Sequence, residues 1–166
     1  MKKYCLDTSG ISNPWGDLPH DIFNSLWENI EELIVKGIFA VTLEIYEEQL
    51  LIPNPLGEII KVNKNTMLLE IGQDDWNWPG YIEISNDLNG KYNNFISEYT
   101  GRSPRTIGLN DMTIIALAKT LNLPVVSMEV SSMNSLTKRK IPDICKLENV
   151  GHLTFNELLR AEKIKL

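Results

Sequence analysis

Acidic side chains recur in this chain where short apolar runs end. Asp7 follows the run from Lys3 to Leu6 and is itself followed by two hydroxyls, Thr8 and Ser9. Glu44, Glu47 and Glu48 lie in "LEIYEEQLL", just after "IFAV"; Asp111 opens the "MTIIALA" stretch, and Glu129 leaves "PVVSM" two residues after Ser127. In open parallel sheets, sites form outside the carboxyl ends of the strands, so carboxylates from separate segments would converge on one mouth. Carboxylates that close repel one another and stay protonated unless a cation neutralises them. Mg²⁺ or Mn²⁺ is the matching cation, because hard divalent ions prefer carboxylate oxygens and can both polarise a phosphodiester and generate the hydroxide that attacks it. With no His or Cys cluster beside the acids, the pattern points away from zinc.

The elements that would carry these acids are legible from periodicity. Lys3 to Leu6 reads as a strand, and "SGISNPWGDLP", dense in Ser, Asn, Gly and Pro, reads as a loop. Ile22, Phe23, Leu26, Trp27, Ile30, Leu33 and Ile34 recur at steps of three and four, which predicts an amphipathic helix ending near Gly37. "IFAV" predicts a second strand and Thr42 the N-cap of the helix after it. Residues 53–108 mix breakers with short periodic pieces and predict small helices on a peripheral excursion. The apolar face of Ile114, Ile115, Leu117, Ala118 and Leu121 predicts a further helix before the buried strand "PVVSM". "VGHL" followed by Thr154 and "FNELLRAEKI" repeats the unit. Strands alternating with helices imply an α/β fold in one domain over residues 1–166, with a central parallel sheet covered on both faces.

Composition narrows the function. The chain has 166 residues, 43% of them hydrophobic, and a net charge of −6, which excludes a polycationic nucleic-acid binder. A metal held by the acids would present a positive face to phosphate inside an otherwise acidic protein. Cys5 and Cys145 are two isolated cysteines in different segments; they give no disulfide framework, read as buried small hydrophobes, and fit a reducing, cytoplasmic setting. No apolar run approaches the ~18 residues of a membrane helix, so no membrane partner is expected.

"YCLDTSGI", an acid on the helix after the second strand, "NDMTIIALAKTLNLPVVSMEV" and "IPDICKLENVGHLTFNELLR" together resemble a PIN domain, more narrowly a bacterial and archaeal PIN-like branch sharing the late Ile-Pro-Asp-hydrophobic-Cys stretch. The resemblance covers both ends of the chain and leaves the middle unmatched. It implies a three-layer α/β/α sandwich and, as in many PIN domains, metal-dependent endoribonuclease activity on RNA. It implies Asp7 as first metal ligand supported by Thr8 or Ser9, Glu48 as the acid two turns inside the second helix with Glu44 as its rival, Asp111 as the third acid, and Ser127 with Glu129 as the hydroxyl-x-acid after the later strand. The family includes VapC-type toxins, which implies an antitoxin protein as partner, and homodimers are common among them. Glu129 departs from the Asp of many relatives, and Ser131 stands where a further acid often follows. The extra methylene of Glu129 favours a water-mediated contact or a single principal metal.

Other readings stand beside these. Asp7 and Asp111 also suit cap positions, the glutamates of "LEIYEEQLL" a solvated face, and Asp143 in "IPDIC" a helix N-terminal residue first and a site residue second. His20 and His152 have no partner at ligand spacing. The loop pair Trp76 and Trp78 suits packing before base stacking. The basic run "SLTKRKIP", with Arg102 and Arg105, would hold an RNA backbone if it flanks the mouth. A non-catalytic PIN-like module that binds RNA or protein is the alternative function.

Overall fold

In a computed structural model, which describes residues 1–73, 75–101 and 106–165, the chain runs β1 (Tyr4–Leu6), α1 (Ser9–Asp17), α2 (Asn24–Val35), β2 (Phe39–Ala40), α3 (Leu43–Gln49), α4 (Leu56–Val62), α5 (Lys64–Met67), α6 (Trp78–Lys91), α7 (Ser97–Thr100), α8 (Leu109–Leu121), β3 (Val125–Val126), α9 (Ile141–Leu147), β4 (His152–Leu153) and α10 (Phe155–Ala161). The four strands form one all-parallel sheet in the order β2-β1-β3-β4. Cys5 pairs with Ala40 on one side and Val125 on the other, so β1 is central, and every residue of β1, β2 and β3 is buried. This is the near-continuous apolar character of strands covered on both faces.

Helices supply the two covers of a three-layer α/β/α sandwich. α8 packs on β1 and β3 with α3, α6 and α9 beside it; its Met112 and the run Ile114 to Ala118 are buried. α1, α2 and α10 share the second layer, where the Trp27 ring lies 4.8 Å edge-on from Trp15 and 5.9 Å from Phe155. α2 buries five of the seven residues of the expected stripe, Leu26, Trp27, Ile30, Leu33 and Ile34, while Ile22 and Phe23 precede its first residue and Ile22 is exposed; Gly37 beyond its end adopts φ +71, the left-handed conformation that glycine accepts without a Cβ clash. Thr42 caps α3 by accepting from Ile45 N–H, and Thr154 caps α10 by accepting from Glu157 N–H.

Two segments differ from the sequence expectation. "SGISNPWGD" is helix α1, not loop, although Pro14 lies inside it. Its Gly10, Ile11 and Pro14 are buried, and Gly10 sits so close to β3 that a Cβ there would lie 2.5 Å from the Val126 carbonyl oxygen. Tertiary contact overrides the weak local propensity of Ser, Asn, Gly and Pro. The 53–108 excursion contains α4, α5, α6 and α7, and α6 is no peripheral piece: it lies along α8 and buries Tyr81 and Leu88. A parallel bridge between Val41 and Leu68 ties the excursion to the β2 edge.

Candidate active site

The strand order turns between β1 and β3, because the chain leaves β1 for β2 on one side and returns to β3 on the other. That reversal opens a crevice at the carboxyl ends of the central strands. Asp7 stands there, buried, and its Oδ2 accepts from Ser9 N–H at 3.0 Å and Ser9 Oγ at 2.6 Å. Ser9 Oγ in turn accepts from Met128 N–H at 3.1 Å, which joins the exits of β1 and β3. The acid thus starts α1 and holds the crevice at the same time.

Three further carboxylates reach this crevice from other segments. Glu48 on α3 accepts from Thr8 Oγ1 at 2.9 Å through Oε2 and from Asn110 Nδ2 at 2.8 Å through Oε1. Asp111 closes a capping box, its Oδ2 accepting from Gly108 N–H at 2.9 Å. Glu129 beyond β3 accepts from Ile141 N–H, the first residue of α9, at 2.8 Å. The mutual effects of these acids show that they share one environment. Burial pushes the Asp7 carboxyl up most, the Ser9 hydroxyl and N–H oppose it, and the charges of Glu129 and Glu48 add to the rise, leaving it at about 6. Burial likewise raises Asp111, the Gly108 N–H opposes this, and Glu129, Asp7 and Glu48 raise it further, to about 7. Both acids are held toward the protonated form by enclosure and by one another, as a carboxylate cluster without a counter-ion must be.

The remaining sequence candidates lie elsewhere. Glu44, the rival of Glu48, is exposed and lines a separate cavity of about 200 Å³ with Glu70 and Tyr81. Ser127 is fully buried and its hydroxyl pairs with His152 Nε2 at 2.7 Å on the neighbouring strand, so it fastens β3 to β4. Asp143 is a buried cap: Oδ2 accepts from Lys140 N–H at 2.7 Å and Ser132 N–H at 2.9 Å, and Oδ1 from the Ser131 hydroxyl. Ser131 therefore orders the loop after Glu129. Trp76 packs against Tyr81 and donates Nε1 to the Glu70 carbonyl. From the basic run, the Arg139 guanidinium lies over the Phe95 ring at 4.6 Å. Arg102 and Arg105 lie outside the described residues.

Three residues join the site that the sequence did not single out. Asn110 steers Glu48, and its place beside Asp111 was a signal within reach. Glu98 on α7 accepts from Leu109 N–H at 2.9 Å at the entrance of α8, with no sequence pattern to announce it. Gln49 is fully buried next to Glu48; its Nε2 donates to the Leu6 carbonyl at 3.0 Å, while its Oε1 finds no donor among the described residues.

Carboxylates are the donors that a hard divalent cation takes, and Asp7 and Asp111 are both raised, first by burial and then by the charges of the neighbouring acids. Among the described residues, no group of three or more His, Cys, Asp or Glu side chains is placed to hold a metal ion. Glu48 and Glu129 are each engaged by protein donors. Filling the site would draw these two away from Thr8, Asn110 and Ile141 N–H, or reach them through water.

A family model described as a domain of unknown function (DUF4411) matches residues 4–166. No curated protein matches the chain. Among the described residues, no helix is long and apolar enough to cross a membrane.

Proposed function

The chain belongs to the DUF4411 family, and we propose that it is a PIN-like, Mg²⁺- or Mn²⁺-dependent endoribonuclease that hydrolyses RNA phosphodiester bonds. The observation that supports this reading is the chain of hydrogen bonds at the exits of the central strands: Ser9 donates to Asp7 and accepts from Met128 N–H next to Glu129, while Thr8 and Asn110, the neighbours of Asp7 and Asp111, both donate to Glu48. A carboxylate cluster costs stability in the bare protein, and phosphodiester hydrolysis is the chemistry for which clustered carboxylates with a divalent ion are suited. When bound, the ion would supply a water of lowered pKa and neutralise charge on the phosphate oxygens.

The residues of the chain have separable tasks in this proposal. Asp7 and Asp111 are the innermost carboxylates and hold the ion; Glu48 and Glu129 complete the set directly or through water. Ser9 orients Asp7, and Thr8 with Asn110 orients Glu48, as supporting donors around metal ligands do. A toxin role, with an antitoxin protein as partner and a homodimeric assembly, belongs to the same reading by analogy.

The direct test is cleavage of assorted RNAs with Mn²⁺, with EDTA, and with Asp7→Asn. Metal-dependent cleavage lost in Asp7→Asn supports the proposal. Calorimetry without Mn²⁺ binding, together with intact RNA, selects the second reading: a non-catalytic module that binds RNA or protein. That reading draws on the engagement of Glu48 and Glu129 by protein donors.

A further inference from the structure

The first turn of α8 carries Asn110 and Asp111, yet its N-cap position is Gly108, which has no side chain to accept from the N–H groups that a helix leaves open at its start. Asp111 Oδ2 takes the Gly108 N–H at 2.9 Å. The Leu109 N–H goes instead to Glu98 Oε2 at 2.9 Å, a carboxylate 11 residues earlier on α7. Glu98 is held in its turn: Ser97 Oγ donates to the same oxygen at 3.2 Å, and the Ser97 N–H donates to the Ile107 carbonyl at 2.8 Å. Ile96, Ser97 and Ile107 are buried, so α7 is anchored against the stretch of chain that leads into α8. A Cβ added to Gly108 would lie 3.2 Å from Glu98 Oε1 and 3.5 Å from Asp111 Oδ2, which places both carboxylates against one backbone position.

We propose that Glu98 is a positioning residue for the carboxylate crevice. By holding the Leu109 N–H it fixes how α8 begins, and so directs the next two side chains: Asn110, whose Nδ2 donates to Glu48 Oε1 at 2.8 Å, and Asp111. An acceptor from another helix matters because Asp111 has two tasks in the proposed site. It caps α8 through the Gly108 N–H and would also hold the ion, and an ion that draws on its carboxylate weakens the cap. Glu98 keeps the turn in place from α7, and its negative charge suits the start of a helix. The effect on metal rests on the site proposed above, whereas the effect on Asn110 does not.

The test compares Glu98→Ala, which removes the acceptor, with Glu98→Gln, which keeps an oxygen that can accept from the Leu109 N–H. In EDTA, the side-chain amide resonances of Asn110, assigned by their absence in Asn110→Ala, should shift in Glu98→Ala and return toward their original place in Glu98→Gln. In calorimetric titration well below the melting temperature, Glu98→Ala should bind Mn²⁺ about tenfold more weakly than the unaltered chain, and Glu98→Gln should recover most of that loss. Combined with Asn110→Ala, the Glu98→Ala loss should be less than additive, because both act through one turn. A lowered melting temperature in Glu98→Ala with unmoved Asn110 resonances would make Glu98 an ordinary helix cap and overturn the inference. Unchanged Mn²⁺ affinity in Glu98→Ala overturns it too, and leaves the metal site standing. If the unaltered chain binds no Mn²⁺, the metal reading falls, and the Asn110 resonances alone decide for or against Glu98.

Discussion

Thr8 Oγ1 donates to Glu48 Oε2 at 2.9 Å, so the residue that adjoins the first carboxylate fixes the direction of the second. Glu44, one turn earlier on α3, lines a different cavity. Glu48→Gln should therefore weaken Mn²⁺ binding by tenfold or more, and Thr8→Val by a smaller factor, since losing an orienting partner typically costs about 10- to 100-fold. Glu44→Gln should leave the affinity unchanged. Calorimetric titration of the three variants checks this, and a Glu44 effect as large as that of Glu48 would place the ligand on the wrong turn.

Without metal, stability should rise as the pH falls from 7 toward 5. Asp7 and Asp111 have folded-state values of about 6 and about 7, both above the ordinary aspartate range, so the folded chain binds protons more tightly than the unfolded one. Their favourable contribution is complete below the unfolded value and is lost as the pH rises through 6 and 7. Between pH 5 and 7 the effect should be on the order of 2 kcal/mol, or about 5 °C in Tm. Asp7→Asn should flatten the slope. Added Mn²⁺ should stabilise more at pH 7 than at pH 5, because the ligands must ionise to bind it. Thermal melts across this range, with and without Mn²⁺, carry the comparison.

Gly10 and Gly16 lie in the same helix and should respond oppositely to alanine. At Gly10 the new methyl would meet the Val126 carbonyl oxygen at 2.5 Å, and at Gly16 it meets nothing within 4 Å. Gly10→Ala should destabilise by about 1–3 kcal/mol as α1 is forced from the sheet. Gly16→Ala should be neutral or stabilise by up to about 1 kcal/mol. Urea melts of the two variants decide it, and Gly10→Ala should also disturb Asp7, since Ser9 joins them.

The helices and strands whose signals are local were legible in the sequence. The stripe of α2, the Thr42 and Thr154 caps and the apolar runs of β1 and β3 each follow from periodicity or cap chemistry within a few residues. α1 was not, because its stability comes from Gly10 pressed against Val126, a partner more than a hundred residues away. Asp7 and Glu129 could be selected because they leave strands of a parallel sheet, whose carboxyl ends must lie together, whereas the choice of Glu48 over Glu44 came from the resemblance to PIN domains and Asp111 opens the helix before β3. The roles of Ser127 and Glu98 could not, since a hydroxyl turned toward His152 and a carboxylate turned toward Leu109 N–H depend on which neighbour the fold supplies. Asp143 shows the intermediate case: its position at the start of a helix announced a cap, and the loop hydroxyl of Ser131 completed it.

Glu148 should be the side chain outside the crevice whose loss is felt at neutral pH and fades in acid. It ends α9, where a negative charge opposes the helix dipole, yet it is buried. Lys119 donates to its Oε1 and Lys91 to its Oε2, each at 2.7 Å, and the Tyr92 hydroxyl also donates to Oε2. Burial alone would raise the carboxyl, but these donors together hold it down at about 2. The network ties the end of α9 to α8 and to the end of α6. Glu148→Gln keeps the shape and removes the charge, and it should destabilise by about 1–3 kcal/mol at pH 7 as the charge-assisted bonds are lost. Because the folded value lies below the unfolded one, the contribution of Glu148 is present above the ordinary glutamate range and disappears as the pH falls through 2. The difference in unfolding free energy between the two proteins should therefore be constant from pH 7 to 5 and shrink below 4. A gap that instead widened in acid would mean that Glu148 is already protonated in the folded chain and that the two lysines do not hold it.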